Sequence, residues 1–74
     1  MVMLVQGGNE RSISASEAET LVGQNITVKD LHGQITGKVI SITPISGTSL
    51  ARFIVYFEGG SHKIVTDADL IIVN

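Results

Sequence analysis

His32 and His62 are the only histidines in the chain of 74 residues, and each stands beside a glycine-containing turn. A metal ion held by imidazole needs a third and fourth ligand at defined spacing. Asp30, Asp67 and Asp69 are the nearby carboxylates, but no ligand motif places them, and the two histidines read as solvated turn residues. Asp67 and Asp69, two apart in "DADL", have the look of a carboxylate pair for acid–base work. The same spacing serves a single turn that one aspartate caps through its side chain, and this is the reading adopted. The serines cluster in turns and caps, with no base at a spacing that would activate a nucleophile. No cysteine is present, so disulfide and thiolate-metal chemistry are absent. The chain is read as non-catalytic, with no cofactor and no metal, and its lack of cysteine as compatible with a cytoplasmic setting.

"GQITGKVISI", residues 33–42, sets two glycines before a lysine and a β-branched run. A phosphate-cradling loop needs a helix N-terminus after the glycines; here a strand pattern follows. Gly33 and Gly37 therefore serve a turn and a curved strand entry. Val39 and Ile42 are the positions chosen to face a core. They are three apart, so a bulge or bend between them is required to restore alternation.

Charge narrows the partners. Residues 1–20 carry Glu10, Glu17 and Glu19 against Arg11, whereas in residues 21–74 Lys29, Lys38, Arg52 and Lys63 balance Asp30, Glu58, Asp67 and Asp69. A neutral body offers no broad field to a phosphate backbone, so nucleic acid is a possible but disfavoured partner. It would need all four cations on one face. The opening "MVMLVQ" lacks a basic flank and is shorter than a membrane span or signal core, so no membrane association is expected. It reads as a short strand or an ordered tail. Asn25-Ile26-Thr27 matches a glycosylation acceptor and is taken as coincidence.

The elements follow from pattern. "GGNERS" is a turn or link. Ser14 with Glu17, or Ser16 with Glu19, is spaced for a capping box. Ala15, Ala18 and Leu21 or Val22 share a helical face, with Gly23 as the stop, so a short helix is predicted near 14–22. "NITVKD" alternates with Ile26 and Val28 on one side. "LHGQ", "SGTS" and "EGGS" are turns, and "ITGKVISIT", "ARFIVYF", "HKIVT" and "IIVN" are strands. In "ARFIVYF", Phe53, Val55 and Phe57 share one face and Arg52, Ile54 and Tyr56 the other. The fold class predicted is mostly β: a five-stranded SH3-like small barrel with a short N-terminal helix. Residues 1–13 form an N-terminal strand or tail and turn, and residues 14–74 the short helix plus small β-barrel.

From about Ala18 the chain resembles Tudor-like and SH3-like small barrels. The segments "LVGQNITV", "GKVISI", "RFIVYF", "EGGSHKIV" and "DADLIIV" resemble the barrel of bacterial flagellar hook-capping proteins in their shorter form. The resemblance implies a small barrel and a structural component of a phage or bacterial appendage. "VKDLHGQITGKVISI" is loosely similar to the KOW element of RNA- and DNA-binding proteins. Plasmid-encoded, trimethoprim-resistant dihydrofolate reductases are SH3-like chains of this length that form an active pore as tetramers. Their Val-Gln-Ile-Tyr motif falls on "HKIV" here, with Lys63 for glutamine and Val65 for tyrosine, which leaves that chemistry without its residues.

Filling one barrel interior leaves apolar side chains over. Ile40, Ile54, Tyr56, Val65 and one of Ile71 or Val73 remain on strand outsides, with Arg52 beside them, and the mean hydropathy is positive. One use for such a face is cover by the chain's own N-terminal segment. The other is an interface with a protein partner or a second copy. Ile40, Arg52, Ile54, Tyr56 and Val65 are the candidate interface, and a homo-oligomer is expected, by face packing or by edge pairing through "MVMLV" or "IIVN".

Overall fold

A computed structural model describes residues 2–45 and 51–74. Its elements are β1 (Val2–Gln6), β2 (Asn9–Ile13), α1 (Ala15–Ala18) with a 3-10 turn at Glu19–Leu21, β3 (Asn25–Asp30), β4 (Gly33–Pro44), β5 (Ala51–Phe57), β6 (His62–Thr66) and β7 (Leu70–Val73). The predicted "SGTS" turn lies outside the described residues.

The strands form one sheet in the order β2-β1-β7-β3-β4-β5-β6. Neighbours are antiparallel except β1 and β7, which run parallel. The mostly-β class is thus present, but the closed five-stranded barrel is corrected: seven strands form an open, mixed sheet. The two extra strands come from the N-terminal segment. Gly7 and Gly8 both take positive φ, 58° and 84°, as a two-residue hairpin loop requires. That loop pairs Gln6 with Asn9 and Val2 with Ile13. Placing β1 against β7 also corrects the edge-pairing expectation. The described part of "MVMLV", in β1, and "IIVN", in β7, lie inside the sheet, and the edges among the described residues are β2 and β6.

Curvature comes from β4. Its first half pairs with β3 and its second half with β5. The register shifts between Val39 and Ser41, which makes Ile40 the bulged residue. This is the irregularity that the Val39–Ile42 spacing called for: Val39 is buried and Ile42 packs against the core. Gly37 sits where β4 passes Phe57. A Cβ there would lie 2.9 Å from Phe57 Cδ1, so close approach explains this glycine. The core gathers Val2, Leu4, Ile13, Ala18, Leu21, Ile26, Val28, Val39, Phe53, Val55, Phe57, Val65 and Ile71. Phe53, Val55 and Phe57 all point inward, as alternation predicts.

Ser14 and Glu17 form the capping box. The Glu17 N–H donates to Ser14 Oγ and the Ser14 N–H to Glu17 Oε1, each at 3.3 Å. The α-helix is a single turn extended by the 3-10 turn. Of the two residues left open, Leu21 is buried and Val22 exposed. Main-chain bonds from Gly23 N to Val39 O (2.8 Å) and from Val39 N to Gln24 O (2.9 Å) tie the end of this segment to β4.

Candidate functional site

The outward face of β5 and β6 is set by hairpin register. The Phe57 N–H donates to Ser61 O at 2.8 Å, closing a three-residue loop over Glu58, Gly59 and Gly60. Counting back, Tyr56 faces His62, Ile54 faces Ile64 and Phe53 faces Val65. Directly opposed residues share a face. Ile54, Tyr56, Ile64 and His62 are therefore outward, and Phe53 and Val65 inward. Val65, expected on the interface, is 0% exposed and belongs to the core. Its neighbour Ile64, absent from the candidate set, is 47% exposed in its place. The bulge turns Ile40 out as well, at 52%. Ile54 and Tyr56 are half-buried, and the Tyr56 ring lies 6.0 Å from that of His62. Four of the five candidate positions thus lie on strand outsides, with Ile64 to be exchanged for Val65.

Arg52 is half-buried and committed. Its Nε and Nη2 donate to Asp67 Oδ1 and Oδ2 at 2.8 and 2.7 Å. This fork holds the Asp67 carboxyl well below the usual range and raises the guanidinium. Asp69 caps the "DADL" turn. Its Oδ2 accepts from the Thr66 N–H at 3.0 Å, and its own N–H donates to Thr66 O at 3.1 Å.

Lys63 forms a second polar cluster at the end of the sheet. Its Nζ lies 2.9 Å from Asp30 Oδ2 and 3.7 Å from Asp69 Oδ2, and donates to Ile64 O at 3.1 Å. An open pocket of about 260 Å³ runs beside it, lined by Asp30, His32, Gly33, Gln34, Ile35 and Lys63. Asp30 also accepts from the His32 N–H at 2.7 Å. The Lys63 hydrogen bond, then the His32 N–H, lower the Asp30 pKa, and Asp30 in turn raises that of Lys63. The ammonium and both carboxylates spend their hydrogen bonds on one another and on main chain, so the cluster acts as a clasp between β6 and the β3–β4 hairpin. Among the described residues no group of three or more His, Cys, Asp or Glu could hold a metal ion, and no helix is long and apolar enough to cross a membrane.

The clasp predicts a pH dependence. A carboxylate whose folded pKa is lowered contributes stability that is present above its unfolded value, about 3.9, and lost as pH falls through the folded value. Asp30 and Asp67 both have this sign. Thermal stability should therefore fall on acidification from about pH 5 to about pH 3. Asp30→Asn should show a smaller loss over that window, because it no longer has a proton to take up.

A second outward stripe runs across β1 and β7, where Met3 faces Leu70 and Val5 faces Ile72. The choice between Ile71 and Val73 as the leftover residue of "IIVN" is corrected. Ile71 is core, Val73 packs against the core, and Ile72 is the outward one. Beside the stripe, Thr27 Oγ1 shares a 2.8 Å bond with Thr36 Oγ1 and accepts from Asn74 Nδ2 at 3.2 Å. Of the four cations in residues 21–74, Arg52 and Lys63 are held by carboxylates. Lys29 and Lys38 are exposed, on the outward side of β3 and β4. No family model, no curated protein and no solved structure matches the chain.

Proposed function

We propose that the chain is a non-catalytic interaction and structural module whose working surface is the outward face of β5–β6 together with the β6 edge that borders it, and that its occupant there is a second copy of the chain. The observation that carries this reading is the row Ile40, Ile54, Tyr56 and Ile64, turned out by one bulge and one hairpin register while the interior is already filled. The sub-order β7-β3-β4-β5-β6, with a long strand shared between both halves, follows the strand order of SH3-like small barrels, here left open and extended by the β1–β2 hairpin. A place in a larger assembly, of the phage or bacterial appendage kind, rests on the sequence resemblance over residues 21–73. A cytoplasmic site of action fits the cysteine-free chain. The neutral body, and the engagement of Arg52 and Lys63 by aspartates, weigh against the KOW-like alternative. Val65, at the place of the reductases' tyrosine, lies in the core, which weighs against a pore enzyme.

Burying an Ile or Tyr on such a face contributes on the order of 1.5–3 kcal/mol by area, before the cost of association. A few of these on each copy sustain a micromolar self-affinity. Sedimentation equilibrium over about a hundredfold concentration range should give a mass that rises above the monomer. Ile54→Lys, beside Ile64 on that face, should return it to the monomer without unfolding the sheet, whereas Val65→Lys should unfold it. A monomer mass throughout overturns the reading. So does salt-sensitive micromolar binding to mixed-sequence nucleic acid by the monomer, which favours the KOW-like alternative.

A further inference from the structure

We infer that the second copy joins through β6, edge to edge and antiparallel, with the two-fold axis at Ile64. This rests on the self-association proposed above and names its geometry.

The hydrogen-bond phase of the hairpin fixes what the β6 edge offers. Phe57 N–H bonds Ser61 O, and at the other end of β5 the Ile45 N–H bonds Arg52 O at 3.0 Å. Main-chain groups alternate in direction along an antiparallel strand. Phe53, Val55 and Phe57 therefore turn theirs toward β6, and Arg52, Ile54 and Tyr56 toward β4. Across the hairpin, Lys63 and Val65 face β5, leaving His62, Ile64 and Thr66 to face outward from the sheet.

That edge is partly closed already. The Thr66 N–H and one lone pair of Thr66 O are taken by Asp69. Lys63 Nζ occupies one lone pair of Ile64 O, and a carbonyl has two. The Ile64 N–H, the second lone pairs of Ile64 O and Thr66 O and the His62 main chain are what remain. A second β6 laid antiparallel about Ile64 satisfies the centre of this set, each Ile64 N–H donating to the other copy's Ile64 O.

The side chains agree with that register. Ile64 meets its own copy on the outward face, with Ile54 flanking on each side. Lys63 falls opposite Val65 and His62 opposite Thr66, so no like charges are opposed. The other edge behaves differently. β2 reads "NERSI" and is exposed along Asn9–Ser12. Pairing it with itself along its length centres on Arg11 and sets two guanidinium groups against each other, which is how edges are kept from associating. The molecule thus has one guarded edge and one edge complementary to itself.

Amide hydrogen exchange on the full chain, read by NMR at about 20 μM and about 1 mM, tests this together with sedimentation equilibrium. The Ile64 amide should gain protection by about tenfold or more as dimer forms, while the Glu10 and Ser12 amides stay unchanged. Ile64→Lys should raise the dimer dissociation constant by about tenfold or more and remove that concentration dependence, and Arg11→Ala should leave the masses as they are. Ile64 is half exposed, so the lysine variant is checked for fold by its NMR dispersion. The exchange measurement on the unaltered chain stands without it. An oligomer whose Ile64 amide stays unprotected overturns the edge geometry and leaves self-association standing. A monomer at both concentrations overturns both.

Discussion

Removal of residues 1–13 leaves the remaining chain unfolded at room temperature, rather than releasing a barrel from its tail. Val2, Leu4 and Ile13 are each 1% exposed and are part of the single core. Full burial of an aliphatic side chain contributes about 1.5–3 kcal/mol. The whole stability expected of 74 residues is about 4–11 kcal/mol. Three such residues are a large share of it, and the loss does not end with them. Leu4 lies opposite Ile71 across the parallel β1–β7 pairing, so deletion strips β7 of its outer neighbour and uncovers Ile71. Far-UV circular dichroism with urea titration checks this, the expected result being no cooperative transition for residues 14–74. The milder Leu4→Ala should keep the transition and lower stability by about 2–5 kcal/mol. A truncated chain that unfolds cooperatively with an undiminished midpoint would show that the hairpin is an appendage.

This is also where the sequence misled. "MVMLV" alternates apolar residues well enough to read as a strand, but nothing local says which strand it joins. The partner, Leu70–Val73, lies at the opposite end of the chain, and parallel pairing leaves no turn signature. "GGNERS" reads as a turn or link throughout, whereas only Gly7 and Gly8, with positive φ, form the hairpin loop and Asn9–Ile13 is strand. "NERS" hid the second strand, because an exposed edge strand need not alternate.

Within residues 14–45 and 51–74 local rules went further. The capping box at Ser14 and Glu17, the inward triad of "ARFIVYF", the Gly-Gly hairpin and the irregularity after Val39 were all readable, each resting on a spacing of four residues or fewer. Val65 lies inward although "HKIVT" taken alone does not show which of its residues face the core. Its phase is fixed by the hairpin: a three-residue loop carries Phe57, Val55 and Phe53 onto Ser61, Lys63 and Val65. That count places Ile64, not Val65, on the outward surface. The Asp30–Lys63 clasp had no such signal. It joins residues far apart in sequence, and only the folded sheet brings them to 2.9 Å.

Gly37→Ala lowers stability by about 1–3 kcal/mol, the usual cost of inserting a methyl group into filled space. Its sign runs against intrinsic preference, since alanine is favoured over glycine in a strand interior by roughly 0.5–1 kcal/mol. Gly37 has no positive φ, so the backbone would accept the alanine and the obstacle is the neighbour. The new Cβ would stand 2.9 Å from Phe57 Cδ1 and 3.4 Å from Phe57 Cβ and Cγ. The ring cannot swing aside. Phe57 is 1% exposed and lies opposite Val39 on the adjoining strand, and its Cβ is fixed to a main chain bonded to Ser61. Relief must therefore come from a shorter side chain. Phe57→Leu alone should be destabilising because it leaves a void, yet beside alanine at position 37 it should cost less than the sum of the two single changes. A double-mutant cycle in urea measures that coupling, expected at about 0.5–3 kcal/mol in the favourable direction. Strict additivity would mean that Phe57 yields to the methyl group without help, and that the bend of β4 toward β5 does not depend on a glycine at this crossing.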